Sequence, residues 1–414
     1  MDKEKILNGI ISSYGYDGEG VCRVDGKVCF VPFTLKDENV DFVVKQEKSS
    51  FCKGKVKTLN SQSEERIEAK CPYFEKCGGC TYQHTNYENE INIKKELLSF
   101  QLKKLEFFDD IKVVKSDKEF GYRNKIRLFV ENDKVGFKYR ESNKIIDIEK
   151  CYIANDLINN AISQIRLFLS SQKIYDNFSE IIVKSVGNEC LVNFVKKNNK
   201  KIEYQGLLLL LGRNYGIFET FNKKTTHVLG KKFIEYKEFD LNCKASSNSF
   251  RQINDFIAHN LYEEVLTNLK GKKILNCYSG AGVLTGIIAK KKIFTTGVEL
   301  GESEHQDAEI LKDENNLIYM NNILGDCSKV LPNLDKDFET IIVDPPRAGL
   351  NEDVVSAINE YNSKVLIYIS CNSATLIRDL TRLKNYKLKK VELFDMFPRT
   401  GEYEVFTVLE NISD

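Results

Sequence analysis

Three short stretches place reactive side chains where an apolar run gives way to a turn. YISCNSATLIRDL sets Cys371 between Ser370 and Asn372, at the start of a helical pattern. A thiol there meets exposed N–H groups and the helix dipole, which favour the thiolate and make a nucleophile. VDPPRAGL ends another apolar run at Asp344, and its two prolines stiffen the next residues and remove two N–H donors. Arg347 in that stretch offers a planar fork for phosphate or carboxylate. DMFPRTGEYEVFTVLE carries Glu404 into an apolar terminal run, so an acid at a strand mouth is placed to act as a base. Each has a plain alternative: a buried structural cysteine, a capping aspartate, a strand-end glutamate. The lone cysteines Cys22, Cys29, Cys52, Cys190, Cys243, Cys277 and Cys327 carry only the plain reading.

A fourth stretch, NCYSGAGVLTG, is a glycine-rich turn between a strand and a helix. Gly280 and Gly282 form G-x-G, and the next apolar run ends at Glu299. Backbone N–H groups at such a turn approach a ligand closely, and an acid about 20 residues on holds ribose hydroxyls. S-adenosylmethionine suits this turn better than a dinucleotide, whose pyrophosphate asks for a third glycine. A fifth stretch, CPYFEKCGGC, supplies Cys71, Cys77 and Cys80 as soft metal ligands. His84 and Cys151 compete to be the fourth, so zinc and an iron–sulfur cluster both fit the donor set.

These stretches need elements to hold them. GYDGEGVCRVDGKVCFVPF alternates apolar and polar residues around Asp25-Gly26, a hairpin signal within a small β-barrel spanning 1–59. YENEINIKKELLSFQLKKL reads as an amphipathic helix with a lysine-rich outer face. RLFVENDKVGFKYR is a hairpin about Asn132-Asp133 in a β-rich α+β region covering 60–245. Over 246–414, the strand-like runs KKILNC, FTTGVEL, ETIIVD and KVLIYIS alternate with helical segments. That alternation predicts a parallel, doubly wound α/β sheet, with ligands at the carboxyl ends of its strands.

The chain has 414 residues, 42% hydrophobic and 29% charged, which suits two or three domains. No apolar run approaches the roughly 20 residues of a membrane span, and MDKEKILNG has no secretory apolar region. The expectation is a cytoplasmic protein with twelve reduced cysteines and no membrane or obligate protein partner. Net charge is +1, but Val44 to Lys57 holds five lysines and one glutamate, and Lys196, Lys197, Lys200 and Lys201 form a second basic knot. Such patches can neutralise phosphates, but on charge alone a solvated face is the favoured reading.

Together the motifs resemble the RNA uracil-5-methyltransferases over nearly the full chain, and most closely the branch acting on 23S ribosomal RNA. GEGVCRVDGKVCFVP looks like a TRAM domain, and CPYFEKCGGCTYQH with a distant Cys looks like a 4Fe–4S site. SFRQIN, DPPRAGL, SCNSATLIRDL and FPRTGEYE are similar to the segments around the family's active site. The resemblance implies a TRAM/OB-like barrel, a central domain with the cluster loop at 71–80, and a Rossmann-like methyltransferase domain. It implies Cys371 as nucleophile and Glu404 as base, with S-adenosyl-L-methionine held by Gln252, Tyr278, Glu299, Asp326 and Asp344. The cluster ligands would be Cys71, Cys77, Cys80 and Cys151, leaving His84 out and zinc as the alternative occupant. The chain departs from the family at Asn276 (commonly Asp), Ser279 (commonly Cys), Val283 (a polar contact in some members), Arg251 (commonly Phe) and Glu402 (commonly His).

The implied reaction is methylation of uridine carbon-5 through a covalent Cys–uracil intermediate. Ribosomal RNA is the favoured target and the T-loop uridine of transfer RNA the alternative, because the transfer-RNA branch usually lacks both the barrel and the cluster motif. A radical methylthiotransferase would use C-x3-C-x2-C, and a cytosine-5 methyltransferase usually has proline before its cysteine. A non-enzymatic zinc–RNA binder leaves DPPR, SCN and the G-x-G turn without a job.

Overall fold

The alternation of residues 6–59 builds one six-stranded sheet. In the computed structural model, which describes residues 5–412, its strands run in the order Ile6–Ile10, Asn39–Glu47, Phe51–Leu59, Lys27–Val31, Gly20–Val24 and Ser13–Tyr14. Val24 pairs with Lys27 across Asp25 (φ 50°) and Gly26 (φ 78°), the left-handed pair a two-residue hairpin turn demands. The sheet curls into a half-barrel over a small core of Ile11, Cys22, Cys29, Val31, Val40, Phe42 and Cys52. Its outer face carries Lys53, Lys55 and Lys57 at every second residue, all exposed, with the buried Cys52 before them and the buried Gly54 between the first two.

Two compact units make up the chain. The first holds the residues up to Lys103 together with Lys138–Lys144 and Arg399–Gly401. Within it, Asn86 caps the helix Tyr87–Leu102 by accepting from Asn89 N–H. This helix departs from the expected lysine-rich outer face. Lys94 is fully buried, 2.7 Å from Glu90 Oε1, and Arg399 N–H donates to the same oxygen at 2.7 Å. A buried carboxylate demands such company, because an unpaired one would be strongly penalised.

The second unit holds Lys104–Phe137, Ile145–Pro398 and the chain from Glu402 onward. Its first sheet has seven strands, with Lys125–Glu131, Phe178–Val186 and Glu189–Lys196 at the centre. Its second sheet has eight, in the order Met320–Leu324, Phe294–Glu299, Lys273–Cys277, Thr340–Val343, Val365–Ser370, Glu404–Asn411, Tyr386–Phe394 and Lys112–Val114. The first five are mutually parallel, and Glu404–Asn411 runs antiparallel between its two neighbours. Helices cover the sheet, so Thr340–Val343 and Val365–Ser370 are buried at every residue. Among the described residues, no helix is long and apolar enough to cross a membrane.

Candidate active site

Strand order reverses beside Lys273–Cys277, whose neighbours continue in opposite directions. Ligands bind α/β sheets in the crevice at the carboxyl ends of strands at such a point. The turn that follows has Tyr278 at φ 59°, Gly280 at 55° and Gly282 at 73°. A Cβ on Gly282 would meet Ala308 Cβ at 2.7 Å, whereas one on Gly280 would meet open space. Gly282 is therefore needed for packing, and Gly280 leaves room for a ligand. Glu299 accepts N–H bonds from Gly280 at 2.8 Å and Gly301 at 2.7 Å, which aim its carboxylate. Asp326 accepts from the N–H and hydroxyl of Ser328, and these bonds hold its carboxyl below the usual range. Asn276 is buried and donates to the Thr285 hydroxyl at 2.9 Å, so the family's usual acid is replaced by a satisfied neutral amide.

Gln252 arrives from the segment before the helix Asp255–Asn268 and reaches Asp344 Oδ2 at 3.4 Å. Two residues missed in the sequence fix that segment. Asn124 donates to Gln252 O at 2.9 Å and to Asp255 Oδ1 at 2.7 Å. Lys184, 2% exposed on a central strand, donates to Ser246 O at 2.7 Å and Ser249 O at 2.6 Å. Burial pulls its ammonium down to about 7. Only a lysine within an otherwise apolar strand run hints at this role.

The reactive pair follows from register. Ser370 pairs with Val405 in the antiparallel ladder, so the next step brings Cys371 opposite Glu404. Glu404 is 4% exposed and its Oε2 has no hydrogen-bond partner among the described residues. Burial first, then Asp344 and Glu402, push its carboxyl well above the usual range against the pull of Arg347. Asp344 is pushed up to about 7 by desolvation. The Cys371 thiol is pushed up to about 12 by burial, then by Glu404, with Arg347 opposing and Asp344 and Glu402 adding to the rise. The direction is opposite to the expected thiolate. Burial comes first among the causes, and the Asn372 side chain already takes the N–H groups of Ala374 and Thr375.

The DPPRAGL loop is clamped from the helix Ser373–Leu380. Buried Asp379 accepts from Leu350 N–H at 2.7 Å and from the Tyr368 hydroxyl at 2.8 Å. Asn372 and Thr375 donate to the Arg347 carbonyl at 3.3 and 3.2 Å. The Arg347 side chain forms an ion pair with Glu402.

Cys71, Cys77 and Cys80 lie half-buried in the first unit and Cys151 in the second. Burial pushes the Cys71 and Cys77 thiols up, while nearby N–H groups pull the other way; Gly79 N–H donates to Cys77 Sγ at 3.4 Å. Such N–H bonds suit metal-bound thiolates, and soft sulfur donors suit iron or zinc. Among the described residues, no three His, Cys, Asp or Glu side chains converge closely enough to hold a metal. His84 lies in an aromatic nest, stacked on Phe74 at 5.6 Å and edge-on to Phe33, where burial drops its ring to about 3.

Comparison with known proteins extends this picture. Residues 331–412 match the family described as tRNA (Uracil-5-)-methyltransferase. The chain is 31% identical over 426 residues to a tRNA (uracil(54)-C(5))-methyltransferase of Pyrococcus abyssi, covering 97% of this chain and 100% of that one. It is 29% identical over 440 residues to a 23S rRNA (uracil(1939)-C(5))-methyltransferase of Francisella tularensis subsp. novicida, covering 99% and 98%. The crystal structure of Pyrococcus abyssi tRNA (uracil-54, C5)-methyltransferase in complex with S-adenosyl-L-homocysteine matches with a TM-score of 0.82 at 28% identity, covering 97% and 99%.

Proposed function

Since the chain belongs to the RNA uracil-5-methyltransferases and moves a methyl group from S-adenosyl-L-methionine to carbon-5 of a uridine in RNA, we propose that Cys371 is its nucleophile and Glu404 its base. The observation that carries this is the strand register that sets the thiol opposite a buried carboxyl. The Cys371 Sγ proton passes to water, the thiolate bonds uracil carbon-6, and the carbon-5–carbon-6 π electrons move to carbon-5. Carbon-5 takes the methyl group from the sulfonium, and S-adenosyl-L-homocysteine leaves. Ionised Glu404 then removes the carbon-5 proton, the Sγ–carbon-6 bond breaks, and the thiolate returns. Gln252, Tyr278, Glu299, Asp326 and Asp344 hold the cofactor in this reading. A stacked base is out of reach, so the uridine comes from a loop or is flipped.

The half-barrel's row of Lys53, Lys55 and Lys57 serves as a phosphate track in this scheme. Cys71, Cys77 and Cys80, with Cys151 as the sequence's fourth sulfur, are the candidate ligands of a 4Fe–4S cluster that supports folding or RNA orientation. Iron and sulfide analysis of anaerobically purified protein tests that role, with zinc as the competing result.

For the target we favour a uridine of 23S ribosomal RNA, supported by the relative with that substrate. The second reading, a transfer-RNA T-loop uridine, is supported by the full-length similarity to the Pyrococcus abyssi enzyme. That similarity also weakens the barrel-plus-cysteine motif as a discriminator, because a transfer-RNA enzyme aligns over 97% of the chain. Methyl transfer to unmodified transcripts of both RNAs separates the readings. The covalent scheme is tested with Glu404→Gln on a 5-fluorouridine transcript. A denaturation-resistant RNA adduct is expected, and its absence sinks the scheme.

A further inference from the structure

Four charged groups surround Cys371: Glu404 and Glu402 from the last strand and its approach, and Asp344 and Arg347 from the loop after Thr340–Val343. Three are acids, and of the four it is Arg347 that favours a thiolate. Yet Arg347 is ion-paired to Glu402. Its backbone carbonyl is held by Asn372 and Thr375, both just past Cys371, and its guanidinium is directed by the ion pair with Glu402. Glu402 and Arg347 are 45% and 61% exposed at their side chains, so the pair contributes little to stability and its geometry calls for another explanation.

We propose that Glu402 is a positioning residue which, by pairing with Arg347, draws that guanidinium away from Cys371 and so reinforces the restraint that burial already places on the nucleophile. The inference deepens the nucleophile assignment above and rests on it for its meaning in catalysis. Glu402 acts in two ways. It neutralises the Arg347 cation, and it adds a negative charge of its own. Both raise the free energy of the thiolate relative to the thiol. A nucleophile restrained in this way resists stray electrophiles and oxidants, which attack the thiolate.

The test needs neither RNA nor cofactor. The full chain is treated with iodoacetamide between pH 6 and 10, and carboxamidomethylation of the Cys371 peptide is followed by mass spectrometry. In Glu402→Gln the rate at pH 8 should rise by about three- to tenfold, and the rising limb of log rate against pH should be displaced toward lower pH by up to about one unit. Glu402→Asp, which keeps the charge, should stay near wild type. Arg347→Gln should slow the reaction, and adding Glu402→Gln to it should bring back only part of the gain. Equal rates in Glu402→Gln and wild type would overturn the proposal. So would an undiminished gain in the Arg347→Gln background, since Glu402 would then act without its partner. If alkylation accelerates while the pH–rate profile of methyl transfer does not move, the restraint stands and the nucleophile assignment falls.

Discussion

The carboxyl edge of the eight-stranded sheet treats acids in opposite ways on its two halves. On the cofactor half, Glu299 accepts two backbone N–H groups and Asp326 accepts an N–H and a hydroxyl, which keep Asp326 below the usual carboxyl range. On the nucleophile half, Asp344 is raised to about 7 and Glu404 well above its ordinary value. Donor supply makes the difference. Gly280, Gly301 and Ser328 supply N–H groups to the acids of the cofactor half, whereas Pro345 and Pro346 have none to offer after Asp344. At the neighbouring helix start, Asn372 takes them first. A saturated, ionised acid suits holding a ligand; a desolvated acid with high proton affinity suits taking a proton.

The harshest way to separate the halves is to delete one function from each. Cys371→Ala should lower single-turnover methyl transfer by about 10³-fold or more while S-adenosylmethionine still binds, measured by calorimetry. Glu299→Ala should do the reverse, weakening cofactor binding by about 10- to 100-fold through loss of a charged hydrogen-bond acceptor. If both variants lose binding and turnover together, the two halves are not separate.

The halves should also diverge with pH. Turnover needs Cys371 and Glu404 to give up protons, and both hold them more tightly than usual, so methyl transfer should climb steadily from pH 6 to 9. Cofactor binding should change far less over that range, by the few-fold that Lys184 and Asp344 contribute as they lose their protons near 7. The stability sign follows from the same shifts. The folded state holds the Asp344 proton up to about pH 7, whereas the unfolded chain releases it near 4, so stability from this group is fully present below about 4 and is lost as pH rises to 7. Asp344→Asn should therefore raise the melting temperature more at pH 8 than at pH 5. Equal gains at both pH values would mean that Asp344 is not desolvated in the folded chain.

Much of this contrast can be read in the sequence, but not its cause. Strand–helix alternation, the G-x-G turn, DPPR and the cysteine after an apolar strand all lie where periodicity places them. The pairing of Cys371 with Glu404 is invisible there, because a register joins residues 33 positions apart only once the ladder forms. The thiol's direction of shift differs from the expectation for the same reason: its burial, and all four of its charged neighbours, come from other elements. Met320–Leu324 carries two asparagines and lacks strand periodicity, yet it pairs along Phe294–Glu299. Lys94 reads as surface charge, and only the fold reveals that Glu90 needs it.

A smaller effect tests whether the cofactor half depends on support from the central strands. Lys184→Met keeps the volume of the side chain but removes the donor to the carbonyls of Ser246 and Ser249. The segment carrying Gln252 should loosen, raising KM for S-adenosylmethionine a few-fold with kcat nearly intact, since Cys371 and Glu404 lie on other strands. Burial lowers the Lys184 ammonium to about 7, so wild type should itself lose some cofactor affinity above that pH, and the variant should not. The smallest effect concerns RNA. Replacing Lys53, Lys55 and Lys57 together by Gln should weaken RNA binding at low salt and flatten the plot of log affinity against log salt by about 2 to 3. Cofactor affinity should not change. An unchanged salt slope would return this lysine row to an ordinary solvated face and leave RNA binding to other parts of the chain.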